Sequence, residues 1–187
     1  MSQDKVLYSV IESPVGNFIA GTTSDGCCLF EFEDRGGLER VRARMAKRYR
    51  MDMEEGTNDV LEQAADEIRE YFERKRRSFS IPLDLRGTKF EMAVWDQLLR
   101  IPFGETRAYG QIASLLGKPG AARAVGRANG ANYLAIIVPC HRVIQEDGGL
   151  RGYGGGLWRK RMLLDFEQGI DQLFSAEATP YPSRSPA

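Results

Sequence analysis

Residues 106–130 read TRAYGQIASLLGKPGAARAVGRANG. Tyr109, Ile112, Ala113 and Leu116 recur at helical spacing and share one face. Thr106 is placed to cap that helix. Gly117 suits the position just past its end, and Pro119 prevents continuation. A second helix follows over about residues 121–129. Helix, tight Gly/Pro turn and small-residue helix form the helix-turn-helix pattern. In the second helix Ala121, Ala122, Ala124, Val125, Gly126, Ala128 and Gly130 are small, and Arg123, Arg127 and Asn129 are expected to reach outward. So slim a helix can press its backbone against something bulky. Duplex DNA and a neighbouring helix both fit. Arg123 and Arg127, at i and i+4, repel slightly unless an anion lies near them.

Working back toward the N-terminus, Thr88-Lys89-Phe90-Glu91 fits a capping box. Phe90, Val94, Leu98 and Ile101 give that helix its apolar stripe, and Pro102 stops it. A boundary falls in 81–87, IPLDLRG. Before it, residues 6–11, 18–23 and 27–32 read as strands, the last two joined by a hairpin at Ser24-Asp25-Gly26. Helical text follows at 37–48. Thr57 reads as the N-cap of a second helix running to about Arg76, with Leu61, Ala64, Ala65, Ile68, Tyr71 and Phe72 on one face. Residues 1–85 therefore make a small α/β domain whose carboxylates are expected on the solvated surface. Residues 86–170 make a mainly helical domain. Residues 171–187, with Pro180, Pro182 and Pro186 among Ser and Ala, are expected to be a flexible tail.

Composition bounds the rest. The chain has 187 residues, 42% hydrophobic and 28% charged, which is ordinary for a soluble globular protein. No apolar run approaches a membrane span. The first eight residues lack the pattern of a secretory signal, so a cytoplasmic location and no membrane partner are expected. Three cysteines, two of them adjacent, suggest reduced thiols. With one His and no C-x-x-C, a metal site is not expected, nor is any cofactor. The balance of 26 basic and 26 acidic residues hides an asymmetry: residues 100–161 carry 10 basic and 3 acidic side chains. A solvated basic face or a surface for an anionic partner, nucleic acid first, would each explain it.

The run 134–144, LAIIVPCHRVI, reads as a buried extended segment that delivers Cys140 to its end, with Pro139 keeping Val138 extended. His141, the only histidine, follows directly. An imidazole within reach can take a thiol proton and make a nucleophile. Neighbouring side chains on a strand point apart, so contact requires a turn at 139–142. An inert buried Cys beside a surface His is the other reading. A glycine-rich loop, 148–156, can bring backbone groups close to a ligand, although it is no phosphate-binding pattern. A helix over about 157–168 carries Lys160 and Glu167, and Glu167 is a candidate to orient His141.

Pro139-Cys140-His141-Arg142-Val143 resembles the active-site signature of the O6-alkylguanine-DNA alkyltransferase family, also called methylated-DNA–protein-cysteine methyltransferases. The resemblance covers about 88–168 and includes Phe103-Gly104-Glu105, Tyr109-Gly110-Gln111, Lys118-Pro119, Ala122 to Gly126, Asn132 and the glycine loop. It implies a ribonuclease-H-like α/β domain before a helical domain with a helix-turn-helix. It also implies irreversible, stoichiometric transfer of the alkyl group from O6-alkylguanine in duplex DNA, with O4-alkylthymine a second candidate lesion, to Cys140 after the base is flipped out. In that scheme His141 takes the Cys140 proton through a water and Glu167 holds His141. Tyr109 donates to guanine N3, Lys160 supports that site and Asn132 braces the turn. Carbonyls of Cys140 and Val143 accept from the exocyclic amine. Tyr153, Gly154 and Gly155 line the base pocket, and the Gly154 amide faces O6. Arg123 fills the gap left by the base, while Ala122, Gly126, Arg127, Thr106 and Tyr109 face the DNA. The scheme implies a monomer in solution, with clustering along DNA left open.

The departures from the family pattern are specific. Some relatives hold a structural zinc in the first domain, and with no His before 141 that site is absent here. Some have Ser where this chain has Gly154, which removes a side-chain contact and leaves a roomier loop. Three rivals remain: an alkyltransferase-like DNA binder, against which Cys140 argues; a helix-turn-helix regulator indifferent to Cys140; and a cysteine hydrolase with multiple turnover and no need of DNA.

Overall fold

Three consecutive strands rich in buried apolar residues open the first half. A computed structural model describes residues 5–170 of the chain; the expected tail at 171–187 lies outside the described residues. β1 (Val6–Ile11), β2 (Phe18–Thr23) and β3 (Gly26–Phe32) form an antiparallel meander, and β4 (Met53–Glu55) adds in parallel beside β1, giving the order β3-β2-β1-β4. The short β4 carries no alternation that sequence could expose. α1 (Gly37–Tyr49) buries Val41, Met45 and Tyr49, and α2 (Asp59–Phe72) buries Leu61, Ala64, Ile68, Tyr71 and Phe72.

Three details of this half differ from expectation. Asn58, not Thr57, caps α2, because its side chain accepts from the Leu61 amide at 3.0 Å. The helix ends at Phe72, not Arg76. Nor are all the carboxylates solvated. Glu67 is buried and accepts from Gln63 and from the Ser80 amide, and buried Asp84 accepts from Thr23.

The second half holds α3 (Lys89–Leu99), β5 (Arg107–Ala108), α4 (Tyr109–Leu115), α5 (Ala122–Gly130), β6 (Val143–Ile144) and α6 (Leu157–Gln168). The Thr88–Glu91 capping box forms as expected, with both reciprocal bonds present. Trp95, which the apolar stripe had left out, is fully buried and donates to the Ala128 carbonyl at 2.9 Å, tying α3 to α5. Ala108 rather than Thr106 begins α4, its amide capped by Gln111 at 2.7 Å, since β5 holds the preceding residues extended beside β6. Gly117 takes its left-handed position (φ 68°) at the end of α4.

The two halves share one apolar core. Phe30 in β3 bonds through its backbone to Tyr133 and Ala135, so the first sheet grips the segment that leads to Cys140. Arg159 on α6 is buried and reaches back to the Val15 carbonyl at 2.7 Å and to Asp34 at 2.8 and 3.0 Å. No helix among the described residues is long and apolar enough to cross a membrane.

Candidate active site

The segment 134–144 is not the extended run its apolar text suggested. Leu134 makes one bridge to Phe30, and the chain then turns repeatedly before a 3-10 turn at Cys140–Arg142. Ile136 sits at φ 68°, a left-handed conformation that costs a β-branched residue about 1–3 kcal/mol. Asn132 holds this loop. Its Nδ2 lies 2.9 Å from the Val138 carbonyl and 3.0 Å from the Cys140 sulfur, and its Oδ1 accepts from the Leu134 amide at 3.0 Å. The turn that Cys140 and His141 require is therefore built, and the strain is held by side-chain bonds.

Cys140 is 6% exposed. Burial pushes its thiol up, while the Asn132 amide, the Lys160 ammonium and the local backbone amides oppose that shift without cancelling it. Cys27 and Cys28 are also free and fully buried in β3, and burial pushes Cys27 up to about 12. Cys140 borders a cavity.

His141 is fully buried, and its Nε2 lies 2.9 Å from Glu167 Oε1. Its Nδ1 makes no hydrogen bond to a protein group. Burial, with Arg142 and Lys160, lowers the imidazole pKa against the pull of Glu167, which favours the neutral ring near pH 7. No hydrogen bond joins His141 directly to the Cys140 sulfur.

Glu167 is the most heavily bonded carboxylate of the site. Arg142 grips it in two places, Nε to Oε2 and Nη2 to Oε1, each at 2.8 Å. The Gly104 amide donates to Oε2 at 3.2 Å, and the Tyr71 hydroxyl donates to Oε1 at 2.7 Å. Gly104, at φ 80°, is required there, since a Cβ would stand 3.0 Å from the Glu167 carbonyl. Burial opposes the charge on Glu167, but His141 and Arg142 outweigh it and hold the carboxyl well below the usual range. Lys160 is fully buried and donates to the carbonyls of Val143 (2.6 Å) and Arg151 (2.9 Å). Burial brings its pKa down to about 8.

The cavity beside Cys140 is about 60 Å³ and is lined by Asn129, Asn132, Ala135 and the 152–155 loop, with Phe32, Arg40 and Arg44 from the first half. The larger groove between β1 and α2 has neither Cys nor His on its walls, so volume is no guide here. Tyr153 is buried with its ring edge-on to Phe32 and to His141, each at 6.4 Å, and its hydroxyl is unbonded. Gly154 has open space where a side chain would stand, whereas a Cβ on Gly155 would meet the Phe32 and Tyr153 rings. Tyr109 opens α4, its hydroxyl bonded to the Arg151 carbonyl at 3.2 Å and its ring over Gly126. The Cys140 carbonyl accepts from the Val143 amide and from Asn129 at 3.3 Å.

On α5, Arg123 and Arg127 are exposed, and Ala122 and Gly126, each one position before an arginine, are half-buried. Asn129 does not reach outward as expected. It is 2% exposed, because the last turn of α5 packs against the Cys140 turn. Thr106 lies in the strand-like approach to α4 and does not cap it. Of the residues around the catalytic candidates, sequence reasoning missed Tyr71, Arg142 and Asn129 as members of the site. Arg142 had a signal, its place beside His141. Tyr71 lies 96 residues from Glu167 and had none.

Two family models match the chain. One, described as the ribonuclease-like domain of 6-O-methylguanine DNA methyltransferase, covers residues 6–85, and the DNA binding domain of the same family covers residues 89–169. A methylated-DNA–protein-cysteine methyltransferase of Mycobacterium tuberculosis is 59% identical over 105 residues, 56% of this chain and 64% of the relative, so that match spans somewhat less than two thirds of the relative's length. The inducible enzyme of that name from Bacillus subtilis is 42% identical over 152 residues, covering 81% of this chain and 84% of the relative. Among solved structures, that of Mycobacterium tuberculosis OGT in complex with DNA is similar with a TM-score of 0.75 at 42% identity, covering 88% of this chain and 94% of that one.

Proposed function

This chain belongs to the O6-methylguanine DNA methyltransferase family, and we propose that it repairs O6-alkylguanine in duplex DNA by transferring the alkyl group irreversibly to Cys140. The observation that carries the reading is the pairing of a cavity-lining thiol with a neutral, buried imidazole. His141 is anchored through Nε2 to Glu167, and its Nδ1 is left without a protein partner. That leaves a base with one free acceptor beside a thiol. A single bridging water would connect them.

The steps balance as follows. The damaged base leaves the stack at a cost of a few kcal/mol and enters the pocket beside Tyr153 and the glycine loop. The Cys140 proton passes through water to His141 Nδ1. The thiolate attacks the alkyl carbon in line; an S–C bond forms, and the C–O6 bond breaks. The departing electron pair stays on guanine, whose N3 accepts a hydrogen bond from the Tyr109 hydroxyl; the proton held by His141 passes back through water to the guanine, which leaves neutral, and both side chains keep their starting protonation. Lys160 stabilises the thiolate and the Tyr109 side electrostatically, since its ammonium lies 5.8 Å from that ring. The carbonyls of Cys140 and Val143 and the Gly154 amide hold the base edge. A thioether has no route back, so each molecule acts once.

For DNA we assign the α4–α5 helix-turn-helix, with Arg123 filling the vacated space and Ala122, Gly126, Arg127, Thr106 and Tyr109 along the contact. Small side chains suit a minor groove about 6 Å wide. The test is intact-protein mass after mixing with excess duplex carrying one O6-methylguanine, with Cys140→Ser alongside. One CH2-sized gain in the parent alone, stopping at one equivalent, supports the reading. Tight binding with no gain overturns it.

A further inference from the structure

We infer that Tyr71, a residue of the first half of the chain, is a positioning residue for alkyl transfer: it donates to the Glu167 oxygen that holds His141 and so keeps that imidazole in its neutral, proton-accepting form. The inference rests on the reading of Cys140 and His141 given above and adds a part of the chain that lies 69 residues before the nucleophile.

Tyr71 is fully buried on α2. Its ring is fixed on several sides, by Phe72 at 5.1 Å, Phe166 at 5.3 Å, Phe79 at 5.6 Å and Phe103 at 5.8 Å. A ring so enclosed cannot swing, so its hydroxyl has one direction to offer. That direction ends 2.7 Å from Glu167 Oε1. Burial and the nearby Glu167 charge hold the phenol pKa well above its ordinary value, so the group is always a donor. Oε1 therefore takes three donors: Tyr71, Arg142 and His141.

The consequence for His141 is electrostatic. A carboxylate oxygen that faced only the imidazole would favour the imidazolium strongly. Donation from Tyr71 and Arg142 shares that negative charge and weakens its pull on the His141 proton. The charged and titratable groups that face His141 are Glu167 and Lys160 on α6, Cys140 and Arg142 beside it and Tyr153 from the glycine loop; Tyr71 acts through Glu167. Of these, Tyr71 alone comes from the first half. A plain structural role would satisfy the hydroxyl and do nothing to His141.

His141 is the only histidine, so its imidazole signals in an NMR pH titration are unambiguous. The full chain is compared with Tyr71→Phe, which keeps the ring, and with Phe79→Leu, which loosens the same packing and leaves the hydrogen bond. The imidazole midpoint is expected to rise by about one pH unit in Tyr71→Phe and to stay at the parent value in Phe79→Leu. Single-turnover transfer should then fall severalfold at pH 6 in Tyr71→Phe and match the parent at pH 8, with DNA affinity unchanged. A midpoint equal to the parent's, or an equal rise in Phe79→Leu, overturns the inference. A parent that transfers no alkyl group overturns the proposed function instead, and the midpoint comparison still decides the role of Tyr71.

Discussion

Asn132 Nδ2 stands 3.0 Å from the Cys140 sulfur while it also donates to the Val138 carbonyl at 2.9 Å, so one amide shapes the turn and touches the nucleophile. Asn132→Ala leaves the Leu134 amide without its partner and the Val138 carbonyl with the Cys140 amide alone, in a buried loop that already holds Ile136 at positive φ. Stability should fall by about 1–3 kcal/mol, read from urea midpoints. Transfer should slow further than in an equally destabilised core variant such as Val94→Ala, because the sulfur also loses a donor.

Lys160 makes stability depend on pH in a defined window. Its folded pKa is down to about 8 against an ordinary 10.5. Between those values the unfolded chain holds a proton that the folded chain has released, so this group's contribution to stability rises from pH 8 toward 10.5 and is flat below 8. Urea midpoints taken at pH 7.5, 9 and 10 should show that rise in the parent and a flatter line in Lys160→Met, where the difference between the two proteins cancels the tyrosines. The same titration removes positive charge from beside Cys140, so transfer by the parent should decline above about pH 8.

How legible all this was depends on sequence distance. The Thr88–Glu91 capping box closes within one helical turn, and local text decides it. Cys140, His141, Asn132 and Glu167 were singled out by motif, and the fold does bring them together. Asn129 was misplaced because helical spacing shows which residues share a face but not what that face meets, here the back of the Cys140 turn. The apolar run before Cys140 has a composition that suits a strand, and composition alone predicts an extended segment there. A left-handed Ile136 and the Asn132 clamp are tertiary facts. Tyr71 looked like any other member of an apolar helix stripe, and its hydroxyl acquires meaning only when α6 arrives.

The three thiols should separate under alkylating reagents. Cys27 and Cys28 are fully buried in β3, and burial holds both thiols far above neutrality. Cys140 borders the cavity. A small maleimide or iodoacetamide should add to one thiol in the folded protein and to three in denaturant, by intact mass, and prior reaction with O6-methylguanine duplex should block the first. Labelling of Cys27 or Cys28 at a rate near that of Cys140 would contradict the packing of β3.

Arg123 and Arg127 sit exposed on α5. If they face DNA, replacing each by Ala should lower the salt slope of duplex binding by about 1. Arg123→Ala should also cut transfer from duplex by roughly tenfold or more, the size of a lost contact of about 1.4 kcal/mol. Transfer from the free base O6-methylguanine should be unchanged, because neither arginine borders the Cys140 cavity. Equal losses on both substrates would move these arginines from binding to folding.

Two adjacent glycines should respond in opposite ways. At Gly154 an added Cβ meets nothing within 4 Å, so Gly154→Ala should leave stability within about 0.5 kcal/mol of the parent. At Gly155 the same atom would lie 2.5 Å from the Phe32 ring and 2.6 Å from the Tyr153 ring. Neither ring can yield easily, because Phe32 packs on Phe18 and lies under the Arg159 guanidinium, while Tyr153 is buried against His141. Gly155→Ala should therefore cost about 1–3 kcal/mol by overpacking and disturb the contact between β3 and the glycine loop. Transfer should fall with it, since Tyr153 and Cys140 line the same cavity. If Gly155→Ala proved as stable and as active as Gly154→Ala, the loop would have to sit farther from β3 than its packing on Phe32 allows.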